Sequence, residues 1–175
     1  MPEPSSNPPG GNAPAAESAD LLRALVVATA SATEAGFFRS LVQHLAEALH
    51  VRYVFLTECD DGANARALAF WNSGKMGDNF EYALAGTPCQ SVIGGSVCQY
   101  ESSLQAEFPE DVALVDWQAE SYLGVPIQDE DGRVIGHIAV VDDKPMPADG
   151  RSADLLKIFA SRAAAEMRRI RARNE

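Results

Sequence analysis

The sequence predicts an α+β fold, with helices at both ends of the chain and an antiparallel sheet between them. Two observations carry this prediction. Apolar residues recur at three- and four-residue spacing near both ends of the chain. The middle, residues 51–143, instead contains short β-branched and aromatic runs separated by turn residues. With 175 residues, of which 46% are hydrophobic, the chain can bury one core, so we expect one domain.

The first 16 residues differ in composition from everything that follows. They are rich in Pro, Gly, Ser and Asn and contain no large apolar residue after Met1. Ordering such a segment would lose conformational entropy without burying apolar surface. We therefore expect a disordered tail over residues 1–16 and a single domain over residues 17–175.

Three helices are predicted from apolar periodicity. The first begins near Asp20, carries leucines at 21, 22 and 25, and ends near Thr33. The second lies between Glu34 and His50, and its apolar stripe comprises Phe38, Leu41, Val42, Leu45 and Leu49. The last helix extends to about residue 173, and its stripe comprises Leu156, Phe159, Ala163, Met167 and Ile170.

Five strands are predicted in the middle of the chain. They cover residues 51–59, 65–71, 79–84, 121–127 and 133–141. The turn Asp60–Gly62 joins the first two into a hairpin. The acidic loop Gln128–Gly132 joins the last two, and its glycine can adopt a positive φ. Sheet order cannot be derived from these runs.

Two short helices are predicted between the strands. Thr87 supplies a capping hydroxyl directly before Pro88, which suits the first helical position. Pro109 is followed by Glu110 and Asp111, whose carboxylates suit a first turn.

Charge and cysteine content exclude several classes of protein. The formal net charge of −11 argues against nucleic acid as a partner, since phosphate binding requires clustered Lys and Arg.

The N-terminus has no secretion signal and no segment is apolar enough for a membrane span, so we expect a cytoplasmic protein without membrane contact. The three cysteines are sparse and not in a Cys-x-x-Cys pair, which is typical of reduced thiols.

Five segments together resemble the GAF domain, a small-molecule-sensing module of bacterial signalling proteins. They are Phe80–Cys89, Phe108–Asp111, Ser121–Pro126, Gly132–His137 and Ile158–Glu166. The resemblance runs from roughly Gly36 to Arg169, and the combination of segments resembles GAF units found ahead of PAS, histidine kinase, diguanylate cyclase or transcription-activator modules. It implies a central antiparallel sheet, with terminal helices on one face and short helices and loops covering a ligand cavity on the other. It also implies a downstream output domain or protein.

The resemblance leaves the ligand and any cofactor unidentified. Cys89 and Cys98 are each followed by Gln, so the Cys-His pair that attaches bilins is absent. The Asn-Lys-Phe-Asp-Glu signature of cyclic-nucleotide-binding relatives is absent too. We expect a small uncharged or anionic metabolite; an anion would use the helix start at Thr87.

The candidate cavity residues are aromatic and small side chains of the central segments, and several of them could equally be ordinary core. They are Trp71, Tyr82, Cys89, Val92, Cys98, Phe108, Tyr122 and His137. A metal site would need three or four ligands, and only His137 adds to the cysteines, so we expect none. No Ser-His-Asp, paired-carboxylate or phosphate-loop pattern predicts a catalytic residue.

Three functions follow from the sequence. The favoured one is a non-catalytic sensor that signals through a homodimer of its terminal helices, because the stripe from Leu156 to Ile170 exceeds what one sheet face can cover. The second is a thiol enzyme similar to the GAF-fold reductase of free methionine sulfoxide, using Cys89 and Cys98. The third is a dimerisation or docking module without a ligand.

Overall fold

The computed structural model describes residues 19–20, 23, 26–27, 30 and 34–175. The predicted disordered tail, the predicted domain start at residue 17 and most of the first predicted helix lie outside the described residues. Of that helix, positions 19, 20, 23, 26 and 27 are described, and they are helical.

In the described chain, longer elements lie on both sides of a series of six short ones. Its helices are α1 (Glu34–Leu49), α2 (Cys89–Ile93), α3 (Leu104–Glu107), α4 (Val112–Asp116) and α5 (Arg151–Asn174). Its strands are β1 (Tyr53–Glu58), β2 (Asn64–Asn72), β3 (Lys75–Met76), β4 (Glu81–Ala83), β5 (Cys98–Tyr100), β6 (Ser121–Gln128) and β7 (Val134–Asp142).

All strands join one antiparallel sheet. The order is β3-β2-β1-β7-β6-β5, and β4 pairs with β2 beside β3. Both predicted hairpins are confirmed, because β1 pairs with β2 and β6 pairs with β7. The pairing of β1 with β7 closes the centre of the sheet, from Tyr53 opposite Val141 to Glu58 opposite Gly136.

Side-chain alternation along the central strands divides the core into two layers. In β1, Val54 and Leu56 pack with α1 and α5, whereas Tyr53 and Phe55 belong to the apolar cluster on the other face. The helix α5 crosses β6 and packs beside α1. The predicted α+β layering is therefore confirmed, with the long helices on one face and α2 and α4 on the other.

Local predictions fail where elements are very short. The sheet has seven strands rather than five, because β3 has two residues and β5 has three and neither is long enough to show a period. The predicted Thr87 cap is also wrong. The Thr87 hydroxyl donates to the carbonyl of Leu84 at 2.7 Å, and α2 begins after Pro88 without a side-chain cap.

Gly136 permits the close approach of the two central strands. A Cβ built at this position would lie 2.0 Å from the carbonyl oxygen of Thr57, which is backbone and cannot rotate away. Gly132 differs, because it has φ +80° and nothing within 4 Å of such a Cβ.

We expect Gly136→Ala to lower the free energy of unfolding by about 2–3 kcal/mol, because β1 and β7 must separate to admit the methyl group. Gly132→Asn is the control, since Asn tolerates a positive φ and meets no neighbour there. Urea unfolding measures both variants. Equal losses would contradict the close-approach argument.

Candidate ligand-binding cavity

A cavity of about 390 Å³ lies on the face of the sheet opposite the terminal helices. Its floor comes from the central strands, and its walls come from β4, the turn before α2, and α4. The aromatic lining residues are Phe55, Phe80, Tyr82, Trp117 and Tyr122. The polar and charged residues of the lining include Thr87, Cys89, Glu110 and Asp111. The cavity is thus largely aromatic, with acidic groups on the α4 side.

Phe55 lies at the centre of the aromatic group. Its ring centroid is 5.6 Å from that of Phe80, 6.3 Å from that of Tyr82 and 5.9 Å from that of Trp117. The interplanar angles of 63°, 86° and 56° show edge-to-face and tilted contacts, the arrangement that aromatic quadrupoles favour. Trp117 also stacks on Tyr53 at 4.8 Å. These contacts hold rings from β1, β4 and α4 together.

Buried polar groups form a chain behind this aromatic group. Thr57 Oγ1 accepts from the backbone N–H of His137 and lies 2.5 Å from His137 Nδ1. With Thr57 donating to Nδ1, the neutral ring carries its proton on Nε2, which lies 3.3 Å from the Tyr82 hydroxyl. The Tyr122 hydroxyl donates to Cys89 Sγ at 3.2 Å.

Burial keeps the ionisable groups of this hydrogen-bonded network neutral. It lowers the pKa of His137 to about 3 and raises the pKa of Cys89 to about 11. Burial also raises the pKa of Tyr82 and Tyr122 well above the usual value. The cavity therefore borders a neutral hydrogen-bonded network without a thiolate or an imidazolium at neutral pH.

The GAF domain family model matches residues 35–167 of this chain. The chain belongs to the GAF domain family. Comparison with curated protein sequences gave no significant match.

Solved structures of other GAF domains share the fold. The GAF domain of an Acinetobacter phosphoenolpyruvate-protein phosphotransferase is 14% identical, with a TM-score of 0.73 over 91% of this chain and 97% of that one. The corresponding domain from Coxiella burnetii is 20% identical, with a TM-score of 0.74 over 90% of this chain and 96% of that one. The chromophore-binding domain of a bacteriophytochrome from R. palustris is 9% identical, with a TM-score of 0.69 over 87% of this chain and 61% of that one.

Three of the eight residues predicted for the GAF cavity line it: Tyr82, Cys89 and Tyr122. His137 lies one layer behind, in contact with Tyr82. Three others belong to the apolar cluster of the cavity face without lining the cavity: Val92, Cys98 and Phe108.

Trp71 lies on the opposite face of the sheet, against the core under the terminal helices. Its neighbour Phe70 belongs to the cavity-side cluster. Because successive strand residues point to opposite faces, a shift of one position decides which aromatic residue lies on the cavity face of the sheet.

The prediction omitted Phe55, Phe80 and Trp117. The alternation of Tyr53 and Phe55 with aliphatic residues in β1 was a signal for Phe55. Trp117 had no comparable signal, since it lies at the end of α4 and reaches the cavity only through the packing of that helix.

Within the described part of the chain, no cluster of three or more His, Cys, Asp or Glu could hold a metal ion. Nor is any described helix both long and apolar enough to cross a membrane. All three cysteines are free thiols.

The depressed pKa of His137 predicts acid sensitivity. Between pH 6.5 and about 3, the unfolded chain binds a proton at this ring that the folded chain does not bind. The stabilisation from the neutral ring is therefore complete above pH 6.5 and is lost as pH falls, by at most about 1.4 kcal/mol per pH unit.

Urea unfolding from pH 7 to pH 4 measures this loss. We expect His137→Gln to be less stable at pH 7 but to lose less stability on acidification than the parent. The exposed His50 supplies the control, His50→Asn, which should retain the parent slope. Burial raises the pKa of Asp111 and Asp142 and so acts in the opposite direction, but both remain in every variant. Identical slopes for His137→Gln and the parent would contradict the assignment.

Proposed function

We propose that this GAF domain is a non-catalytic sensor that binds a small molecule with an apolar body in the aromatic cavity. The observation that carries the proposal is the combination of an aromatic lining with a neutral hydrogen-bonded network behind it. Ligand pockets are mostly apolar and use a few placed polar groups to orient the ligand. GAF domains are sensory and regulatory units of signalling proteins, which supports the same role here.

The size and chemistry of the cavity restrict the ligand. Its volume of about 390 Å³ lies near the lower end of the range for small-molecule pockets. Of the uncharged and anionic metabolites expected from the sequence, the lining does not favour the anion. Among the described residues, no Lys, Arg or His lines the cavity, whereas Glu110 and Asp111 do. The absence of a Cys-His pair continues to argue against a bilin.

The cavity proposal is tested by filling the space with a side chain. We expect Ala113→Trp, at an exposed lining position of α4, to abolish ligand binding while the domain remains folded. Ala106→Trp is the matched control, since Ala106 is an exposed residue of α3 that does not line the cavity.

The measurements are native mass spectrometry of freshly purified protein and melting temperature with a metabolite library. A ligand at about 100-fold excess over Kd should stabilise the parent and the control by about 2.7 kcal/mol, and Ala113→Trp by much less. If no compound shifts the melting temperature of the parent, this result would favour the alternative of a docking module without a ligand. A retained stoichiometric haem or bilin would contradict the proposed ligand class.

The thiol-enzyme alternative meets a physical obstacle at Cys89. The thiolate is the nucleophile in thiol chemistry, and burial keeps this thiol protonated at neutral pH. Cys98 is half-buried, and burial raises its pKa too.

We therefore expect no reduction of free methionine sulfoxide with a thioredoxin system. In the native protein, a thiol reagent should modify Cys98 before Cys89, because Cys89 is buried. Turnover that is lost in Cys89→Ser or Cys98→Ser but retained in Cys59→Ser would contradict the sensor proposal.

The homodimer through the terminal helices remains a proposal, as do the cytoplasmic location and a downstream output partner. The apolar stripe of α5 supports the homodimer less than the sequence suggested. Most of the predicted apolar stripe of α5 is buried against the sheet and α1 within one chain: Leu156, Phe159, Ala163 and Met167. Of the described large apolar residues, Val26, Val27 and Ile158 are exposed near this face. These exposed residues are candidates for the dimer contact.

A further inference from the structure

We infer that the cavity selects an organic cation, a small ammonium compound with an apolar body, over a neutral or anionic molecule of the same shape. The inference rests on the proposed function, because it concerns the same cavity. It departs from the uncharged ligand that the sequence led us to expect. Two independent observations support it: the aromatic walls and the sign of the charges that line them.

Several aromatic rings line the cavity. Phe55, Tyr82 and Trp117 come from a sheet strand, an edge strand and a helix end, and all line the cavity. Their tilted and edge-to-face contacts orient the rings differently rather than in one flat stack. The face of an aromatic ring carries negative electrostatic potential, and it attracts a cation within about 6 Å of the ring centroid. A neutral apolar ligand would gain packing here but not this attraction.

The charged groups at the cavity are all of one sign. Glu110 and Asp111 line it, and no basic side chain of the described residues does so. Asp111 is half-buried, and burial raises its pKa. The nearby backbone amides of Ala113 and Leu114 lower this pKa, and no cation among the described residues does so. A bound ammonium group would supply the missing counter-charge beside the aromatic rings.

An anionic ligand, or one that only accepts hydrogen bonds, would find poorer partners in this cavity. The neutral hydroxyl, thiol and imidazole groups in and behind the walls already bond to one another. Thr57, His137 and Tyr82 form one such series, and Tyr122 donates to Cys89. A carboxylate ligand would lie beside two acidic side chains without a compensating positive charge.

The test uses pairs of probes that differ only in charge. The cations are tetramethylammonium, choline and benzyltrimethylammonium. Each is compared with the neutral isostere in which carbon replaces nitrogen, and choline also with the anion tert-butylacetate. The protein is the full chain with Trp71→Phe, which leaves Trp117 as the single tryptophan and thus as a fluorescence reporter inside the cavity. Melting temperature gives a second, label-free measurement.

We expect the cation of each binding pair to bind about 5- to 30-fold more tightly than its isostere. Equal or tighter binding of the neutral isostere, or of the anion, would overturn the inference while leaving the proposed function intact. The inference would also be overturned if neutral or anionic library compounds bind and no cation does. If no compound of any charge binds, the proposed function fails as well.

Charge variants separate a local effect from the general attraction of an acidic protein. Asp111→Asn and Glu110→Gln should weaken binding of the cation more than binding of the neutral isostere. Asp116→Asn is the matched control, since it removes the same charge from the same helix at an exposed position that does not line the cavity. Equal weakening by Asp116→Asn and Asp111→Asn would show only long-range attraction and would overturn the inference.

Discussion

The antiparallel pairing of β1 with β7 is the constraint on which the rest of the structure depends. This pairing joins the β1–β2 hairpin to the β6–β7 hairpin in one continuous sheet. Its register places Thr57 opposite His137. The two strands approach closely because Gly136 has no side chain. Side chains alternate strictly along these strands, so this one register decides which residues pack under the helices and which face the cavity.

The same strands provide a physical link between the cavity and the terminal helices. Phe55 lines the cavity, while Val54 and Leu56, on either side of it, pack in the core under α1 and α5. Protein interiors are densely packed, so a ligand that displaces Phe55 must also disturb these neighbours. In the proposed sensor, this short path through one strand would connect occupancy of the cavity to the helices.

The buried polar groups next to the cavity form hydrogen bonds with one another and carry no charge. A buried hydroxyl or imidazole without a partner would cost about 1–3 kcal/mol, but Thr57, His137 and Tyr82 satisfy one another. The same burial that depresses the pKa of His137 raises that of Cys89. Cys89, which the sequence presented as a candidate reactive thiol, and His137, which it presented as a candidate cavity residue, are therefore neutral hydrogen-bonding groups in the fold.

Much of the fold could be predicted from the sequence, because its signals are local. The helical period identified α1 and α5, and alternation and turn residues identified both hairpins. Proline with adjacent carboxylates indicated a helix near α4, but that helix begins at Val112, after both carboxylates. The family resemblance supplied the arrangement of the layers. For the cavity, the same reasoning reached Tyr82, Cys89 and Tyr122, which lie in the segments that carry the resemblance.

Only the tertiary structure decided the sheet order, the short strands and most of the cavity wall. The pairing of β1 with β7 joins residues about 80 positions apart, and β-strand runs do not specify their partners. Trp71 and Phe70 exchange faces with a shift of one residue, which a strand buried on both faces does not reveal. Trp117 and Asp111 reach the cavity because α4 packs over the sheet. Sequence alone determined which long elements form, whereas long-range register and packing determined the short strands and which side chains meet.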